Sequence, residues 1–128
     1  MDKKQSIVIL HGWNLDGSRF VPTIDALKAH GYTVYAPDLP GFGQNPEPDR
    51  PFSLDDYVSF VIQFLKEKKL DSVVLIGHSF GGRIAIRLTA LHPNLVDTLV
   101  LTGTPGFPPD SALKRVFFKS VAGGGKFL

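Results

Sequence analysis

Short, uniformly apolar runs rich in β-branched residues alternate along this chain with segments whose apolar positions recur every three or four residues. Ser6 to Leu10 is the first run. Without polar alternation it predicts a parallel strand buried on both faces, not a hairpin strand with one wet side. Gly12 to Gly17 then reads as a loop. From Ser18, Phe20, Ile24 and Leu27 follow at four- and three-residue spacing until Gly31. This predicts an amphipathic helix closed by a glycine in the left-handed conformation. Thr33 to Ala36 is a second strand. After it, Pro37, Pro40, Pro46, Pro48 and Pro51, with Gly41 and Gly43, exclude helix and central strand. A loop of that length is usually functional or a lid.

Ser53, with Asp56 three residues on, predicts a helix start with an acidic version of the capping box. Its core stripe is Leu54, Tyr57, Val58, Val61, Phe64 and Leu65, and Lys66, Lys68 and Lys69 lie at the end where the helix dipole favours cations, expected in solvent. Ser72 to Ile76 predicts a third buried strand, followed by Gly77 to Gly82. A helix with Ile84, Ile86, Leu88 and Leu91 then ends before Pro93, and Thr98 to Leu101 is a fourth strand. The order β-α-β-α-β-α-β predicts an α/β fold: right-handed crossovers, a parallel sheet flanked by helices, and ligands at the carboxyl ends of the strands.

With 128 residues, 43% hydrophobic and 20% charged, the composition is that of one globular domain. Fourteen Lys plus Arg against twelve Asp plus Glu leave a net charge of +2, too little for a nucleic-acid footprint. The absence of cysteine excludes disulfides, Cys-ligated metals and thiol nucleophiles, so covalent chemistry falls to Ser, Thr, Lys or a carboxylate. No cofactor or metal is expected. The longest clean apolar runs, Ile7 to Leu10 and Val73 to Ile76, are four residues each. They are too short for a membrane span or a signal-peptide core, so a cytoplasmic location is the expectation.

Gly77-His78-Ser79-Phe80-Gly81-Gly82 lies between a buried strand and a helix. A bare G-x-S-x-G match occurs in roughly 4% of random chains this long, so the placement carries the signal. A serine there sits on a strand-to-helix elbow. Side chains at Gly77 and Gly81 would collide with backbone as the chain reverses around a strained Ser79, which should have positive φ. The ordinary alternative is a small-residue turn beside a tightly packed helix. His11-Gly12-Trp13 closes the first strand, and the backbone N–H of Trp13 can point at the same space as that of Phe80. The two would form an oxyanion hole, in which one preorganised donor is worth about 3 kcal/mol of barrier. For His11 the preferred reading is that the imidazole pins the loop, since a base must face its nucleophile.

His11-Gly12-Trp13, Pro37-Asp38-Leu39-Pro40-Gly41-Phe42-Gly43 and Gly77-His78-Ser79-Phe80-Gly81-Gly82 resemble, in order and spacing, motifs of the α/β-hydrolase superfamily. The resemblance covers residues 6 to 105 and implies the N-terminal part of that fold, ending after about its sixth strand. It implies Ser79 as nucleophile, Phe80 and Trp13 as oxyanion donors, Asp38 as a structural carboxylate, and His78 and His92 as non-catalytic. It also divides the chain into core (residues 1–109) and the start of a cap or lid (110–128). A complete member places an Asp or Glu and then a His after the nucleophile. Here the only later histidine, His92, lies about 20 Å away along a helix. Asp97 is expected just before a strand, at the wrong end of the sheet, and Asp110 is read as a helix cap.

The segment from Asp110 to Leu128 interleaves Lys114, Arg115, Lys119 and Lys126 with Leu113, Val116, Phe117, Phe118 and Val121. It is read as the beginning of a cap closing over a substrate pocket, with contact to an anionic membrane as the lesser alternative. These features point to a serine hydrolase of a small ester or thioester, esterase-like, inactive within these 128 residues for want of a base. A carbon–carbon bond hydrolase or an acyltransferase stays open. Ser79 in place of a carboxylate argues against the dehalogenase and epoxide-hydrolase branches. The competing classes are a non-catalytic module that keeps the fold and a nucleotide-binding domain of Rossmann type. Gly12-Trp13-Asn14-Leu15-Asp16-Gly17 argues against the latter, being neither G-x-G-x-x-G nor a lysine-bearing phosphate loop.

Overall fold

A computed structural model describes residues 4–105. The expectations for Asp110 and the cap segment lie outside these residues. Four parallel strands, β1 (Ile7–Leu10), β2 (Val34–Tyr35), β3 (Val73–His78) and β4 (Val96–Thr102), form one sheet in the order β2-β1-β3-β4. Helices α1 (Val21–Ala29), α2 (Leu54–Glu67) and α3 (Phe80–Leu91) make the crossovers. The alternation of side chains along β1 divides the core. Val8 and Leu10 pack with Val58, Val61 and Leu65 of α2 and Ile84 and Leu88 of α3, whereas Ile7 and Ile9 meet Ile24 and Leu27 of α1. All four β1 residues are buried, as a central strand with both faces covered requires. Among the described residues, no helix is long and apolar enough to cross a membrane.

The helix signals resolve into specific caps. Ser53 Oγ accepts the Asp56 N–H at 3.2 Å and the Asp56 carboxylate accepts the Ser53 N–H at 2.8 Å, completing the expected capping box. Lys66, Lys68 and Lys69 are exposed, as expected. α1 starts later than Ser18: a 3-10 turn, Gly17–Phe20, capped by Asp16, precedes it because Pro22 suits only a first helical turn. Gly31, at φ +88°, closes α1, with Tyr32 N–H bonded to Leu27 C=O and Gly31 N–H to Lys28 C=O. Lys69 closes α2 by the same pattern at φ +56°. A lysine there carries the Cβ penalty that glycine escapes, so Lys69→Gly should stabilise the fold by about 0.5–1 kcal/mol after the added unfolded-state entropy of glycine. Urea unfolding midpoints of the two chains check this.

The strand limits differ from the sequence expectation where pairing extends or cuts a run. β2 shortens to two residues at the sheet edge. β3 runs on through Gly77 and His78 because these residues pair with Leu101 and Thr102 of β4. β4 starts at Val96, and the register shift between Val73 and Val74 makes Asp97 the extra residue of a bulge. Asp97 therefore lies inside the strand instead of before it. It remains at the amino end, and the strands are parallel, so it is far from the carboxyl end of β3.

Two ion pairs brace α2. Arg50 forks onto Asp56 at 2.9 and 3.0 Å, and Arg87 of α3 forks onto Asp55 at 2.8 and 3.2 Å. Hydrogen bonds from Arg50, then from the Ser53 N–H, hold the Asp56 carboxyl well below the usual carboxylate range, and Arg87 lowers Asp55 in the same way. Because the folded-state pKa values are depressed, this stabilisation is full above the unfolded value of about 4 and is lost as the pH falls below it. Denaturation midpoints measured from pH 6 down to pH 3 should drop below about pH 4, and less steeply in Asp56→Asn.

Candidate active site

β1 and β3 are in register, Leu10 opposite Gly77, so their carboxyl ends bring residues 11–13 beside 78–80. Ser79 is the single residue between β3 and α3, and its backbone adopts φ +51°, ψ −114°. The expected positive φ is present, at a combination outside the left-handed helical well that costs a non-glycine residue on the order of 1–3 kcal/mol. Sheet bonding continues to the edge of this pivot, with Ser79 N–H donating to Thr102 C=O at 3.0 Å, and α3 begins immediately with Phe80. The expected Gly77 to Gly82 turn is therefore the end of a strand, one strained residue and the first turn of a helix.

The elbow glycines act through space, not through φ. A Cβ on Gly77 would lie 2.5 Å from Gly82 Cα and 2.8 Å from Gly81 O, and one on Gly81 would lie 2.5 Å from the Leu10 carbonyl carbon. The first turn of α3 thus rests directly on the backbone at the ends of β1 and β3. A Cβ on Gly12 would stand 3.3 Å from Ser79 Cβ, which measures how closely the β1 loop approaches the serine.

Ser79 Oγ does not cap α3, although Ser79 occupies its N-cap position. Among the described residues, neither the Phe80 N–H nor the Trp13 N–H has an acceptor. The amino end of α3 adds partial positive charge at the serine.

His11 is fully buried. Leu39 N–H donates to its Nε2 at 2.9 Å, so that nitrogen is the acceptor, and Nδ1–H donates to Gly12 C=O at 2.8 Å. The Gly12 carbonyl belongs to the same peptide unit as the Trp13 N–H, so the imidazole fixes the plane in which that N–H points. Both bonds agree with the pinning role read for His11. His78 turns toward β4, its Nδ1 3.1 Å from Thr102 C=O. His92 caps the far end of α3, about 18 Å along the helix. Among the described residues no imidazole or carboxylate is hydrogen-bonded to Ser79, and no group of three or more His, Asp or Glu could hold a metal ion.

The proline-rich loop is packed onto the site instead of hanging over it. Asp38 accepts from Gly17 N–H at 2.8 Å and Gln44 N–H at 2.9 Å, and Asn45 donates to the Asp38 carbonyl, which is the tying role read for Asp38. Leu39 is fully buried. The loop and α2 also form something not read from the sequence, a cavity of about 560 Å³ walled by Trp13, Pro40, Phe42, Phe52 and Tyr57. Phe80 joins this wall to the serine, its ring 5.2 Å from both Trp13 and Tyr57 in edge-to-face contact. The available signal is the density of proline and aromatic residues from Pro40 to Tyr57, but Tyr57 fits the helix stripe equally well.

A family model described as the alpha/beta hydrolase fold matches residues 5–128. The chain is 33% identical over 111 residues to the AB hydrolase superfamily protein YisY of Bacillus subtilis, covering 80% of this chain and 41% of that protein. It is 31% identical over 121 residues to a protein of Arabidopsis thaliana named "Probable lysophospholipase BODYGUARD 4", covering 90% of this chain and 29% of that one. A solved esterase from a marine microorganism superposes with a TM-score of 0.76 at 29% identity, covering 99% of this chain and 49% of the esterase. The chain thus spans well under half the length of these curated relatives. The matched sheet, the elbow at Ser79 and the shared sequence agree: this chain belongs to the α/β-hydrolase fold family.

Proposed function

We propose that Ser79 is the nucleophile of a serine hydrolase acting on an acyl ester or thioester, with the Trp13 and Phe80 N–H groups as its oxyanion hole. The observation that carries this reading is the backbone of Ser79. A non-glycine residue held at φ +51°, ψ −114°, half-buried and with its hydroxyl unused as a cap, is strain kept at one side chain that does not serve the helix. Ser79 Oγ attacks the acyl carbon and gives its proton to a base, while the carbonyl electron pair moves onto oxygen between the two amides. The tetrahedral species expels the alcohol or thiol, protonated by the same base, and water then releases the carboxylic acid from the acyl-enzyme. Base and acid are assigned outside the described residues. Without them, residues 1–128 should retain only the about 10³–10⁴-fold acceleration over water that binding and oxyanion donors supply.

The test is labelling of the whole protein with a fluorophosphonate, alongside hydrolysis of an activated aryl ester. Labelling that disappears in Ser79→Ala supports the assignment, and labelling that persists there overturns it. A non-catalytic module is the second reading, favoured by the lack of any imidazole on Ser79 among the described residues. It predicts neither labelling nor turnover.

A further inference from the structure

We infer that the cavity walled by Trp13, Phe42, Phe52 and Tyr57 seats an uncharged aromatic group of the substrate, attached to the acyl centre that Ser79 attacks. This rests on the hydrolase reading and extends it to a substrate class. Trp13 belongs to both places: its ring walls the cavity, and its backbone follows Gly12, which abuts Ser79. Phe80, the residue after the serine, touches the rings of Trp13 and Tyr57. On this inference, a carbonyl over Ser79 extends one substituent into the cavity past Trp13, which borders both.

Shape favours a planar ring. The volume of about 560 Å³ falls in the range of small-molecule sites. Phe52 and Tyr57 are already in edge-to-face contact at 5.3 Å, and Tyr57 is buried, its hydroxyl directed at the Pro40 carbonyl. Prolines and packed rings lose little freedom when a ligand arrives, and a flat guest loses less than a flexible acyl chain. Trp13, 59% exposed, supplies an open aromatic surface. Charge selects against anions. Arg50 at the rim is occupied by its fork onto Asp56, while Glu47 and Asp49, exposed on the same rim, have no ion-pair partner among the described residues. Their field repels a ring bearing a carboxylate.

Trp13 is the sole tryptophan of the chain, so its fluorescence reports on the cavity directly. N-methyl-3-phenylpropanamide, an uncharged amide, is the probe. It should change the emission saturably, and bind about tenfold more tightly than 3-phenylpropanoate. In the double variant Glu47→Gln, Asp49→Asn that gap should shrink to about twofold. N-methylheptanamide, a chain of similar size, should bind more weakly than the phenyl amide. A chain lacking native circular dichroism is replaced by the whole protein, with Trp13→Phe as the blank. No saturable response, or equal binding of ring, chain and carboxylate, overturns the inference. In the whole protein, saturable binding without fluorophosphonate labelling keeps the cavity and overturns the nucleophile, and labelling without binding does the reverse.

Discussion

Replacing Ser79 with glycine should make the fold more stable while abolishing its covalent reactivity. At φ +51°, ψ −114° the serine carries strain on the order of 1–3 kcal/mol that glycine does not feel. Glycine returns about 0.5–1 kcal/mol of that as unfolded-state entropy, so the net gain is up to about 2.5 kcal/mol. Ser79→Ala keeps a Cβ in the strained conformation and should unfold near the native midpoint. If Ser79 is the nucleophile as proposed, both variants of the whole protein lose fluorophosphonate labelling and turnover falls about 10⁶-fold, the scale seen on removing a serine nucleophile. Urea unfolding of the three chains separates strain from chemistry. A glycine variant less stable than Ser79→Ala would mean that the pivot is unstrained and that the serine is held there for packing.

Gly81→Ala should instead prevent the chain from folding. The new Cβ would lie 2.5 Å from the Leu10 carbonyl carbon, inside the van der Waals distance of backbone that is itself paired into the central strand. Neither side can yield without lifting α3 from β1, and that separates the contacts of Ile84, Ala85 and Leu88 with the core. A cost of about 4 kcal/mol or more is expected, comparable to the whole stability of many domains. Gly12→Ala is the contrast. Its Cβ would meet Ser79 Cβ and His78 Cδ2 at 3.3 Å, which a shift of a few tenths of an ångström relieves. That variant should fold, at about 1 kcal/mol, and, on the proposed function, lose activity because the displaced atom is next to Ser79. Soluble yield and unfolding midpoints of the pair provide the measurement. An unchanged midpoint for Gly81→Ala would show that the helix can ride higher on the sheet.

The serine elbow combines two local requirements that work against each other. Close approach of α3 to β1 needs glycine at residues 77 and 81, while the nucleophilic role proposed for Ser79 needs a side chain at the most strained position between them. The surrounding ties are what keep the serine in place: the Ser79 N–H on Thr102, the His11 bridge between Gly12 and Leu39, and Asp38 holding the proline loop. Loss of one tie should therefore be felt at Ser79 before it is felt in the core.

Local sequence alone, through hydrophobic periodicity together with cap, glycine and elbow residues, determined the succession of strands and helices, the capping box at Ser53, the left-handed closure at Gly31 and the serine elbow. Each of these is written in residues adjacent or one turn apart, where backbone sterics and local hydrogen bonds decide the outcome. The ends of the elements were decided by partners distant in sequence. β3 reaches His78 because Thr102 pairs with it, and Asp97 falls in a bulge because the β3–β4 register demands an extra residue. Only the tertiary structure showed that Trp13, Phe52 and Tyr57, spread over 45 positions, line one cavity and that Phe80, next to Ser79, packs against two of these rings. The physical reason is that the sequence pattern distinguishes buried from exposed, whereas a cavity wall is half of each. A residue such as Tyr57, buried along its ring and directed at Pro40 through its hydroxyl, reads as core until the loop that faces it is in place.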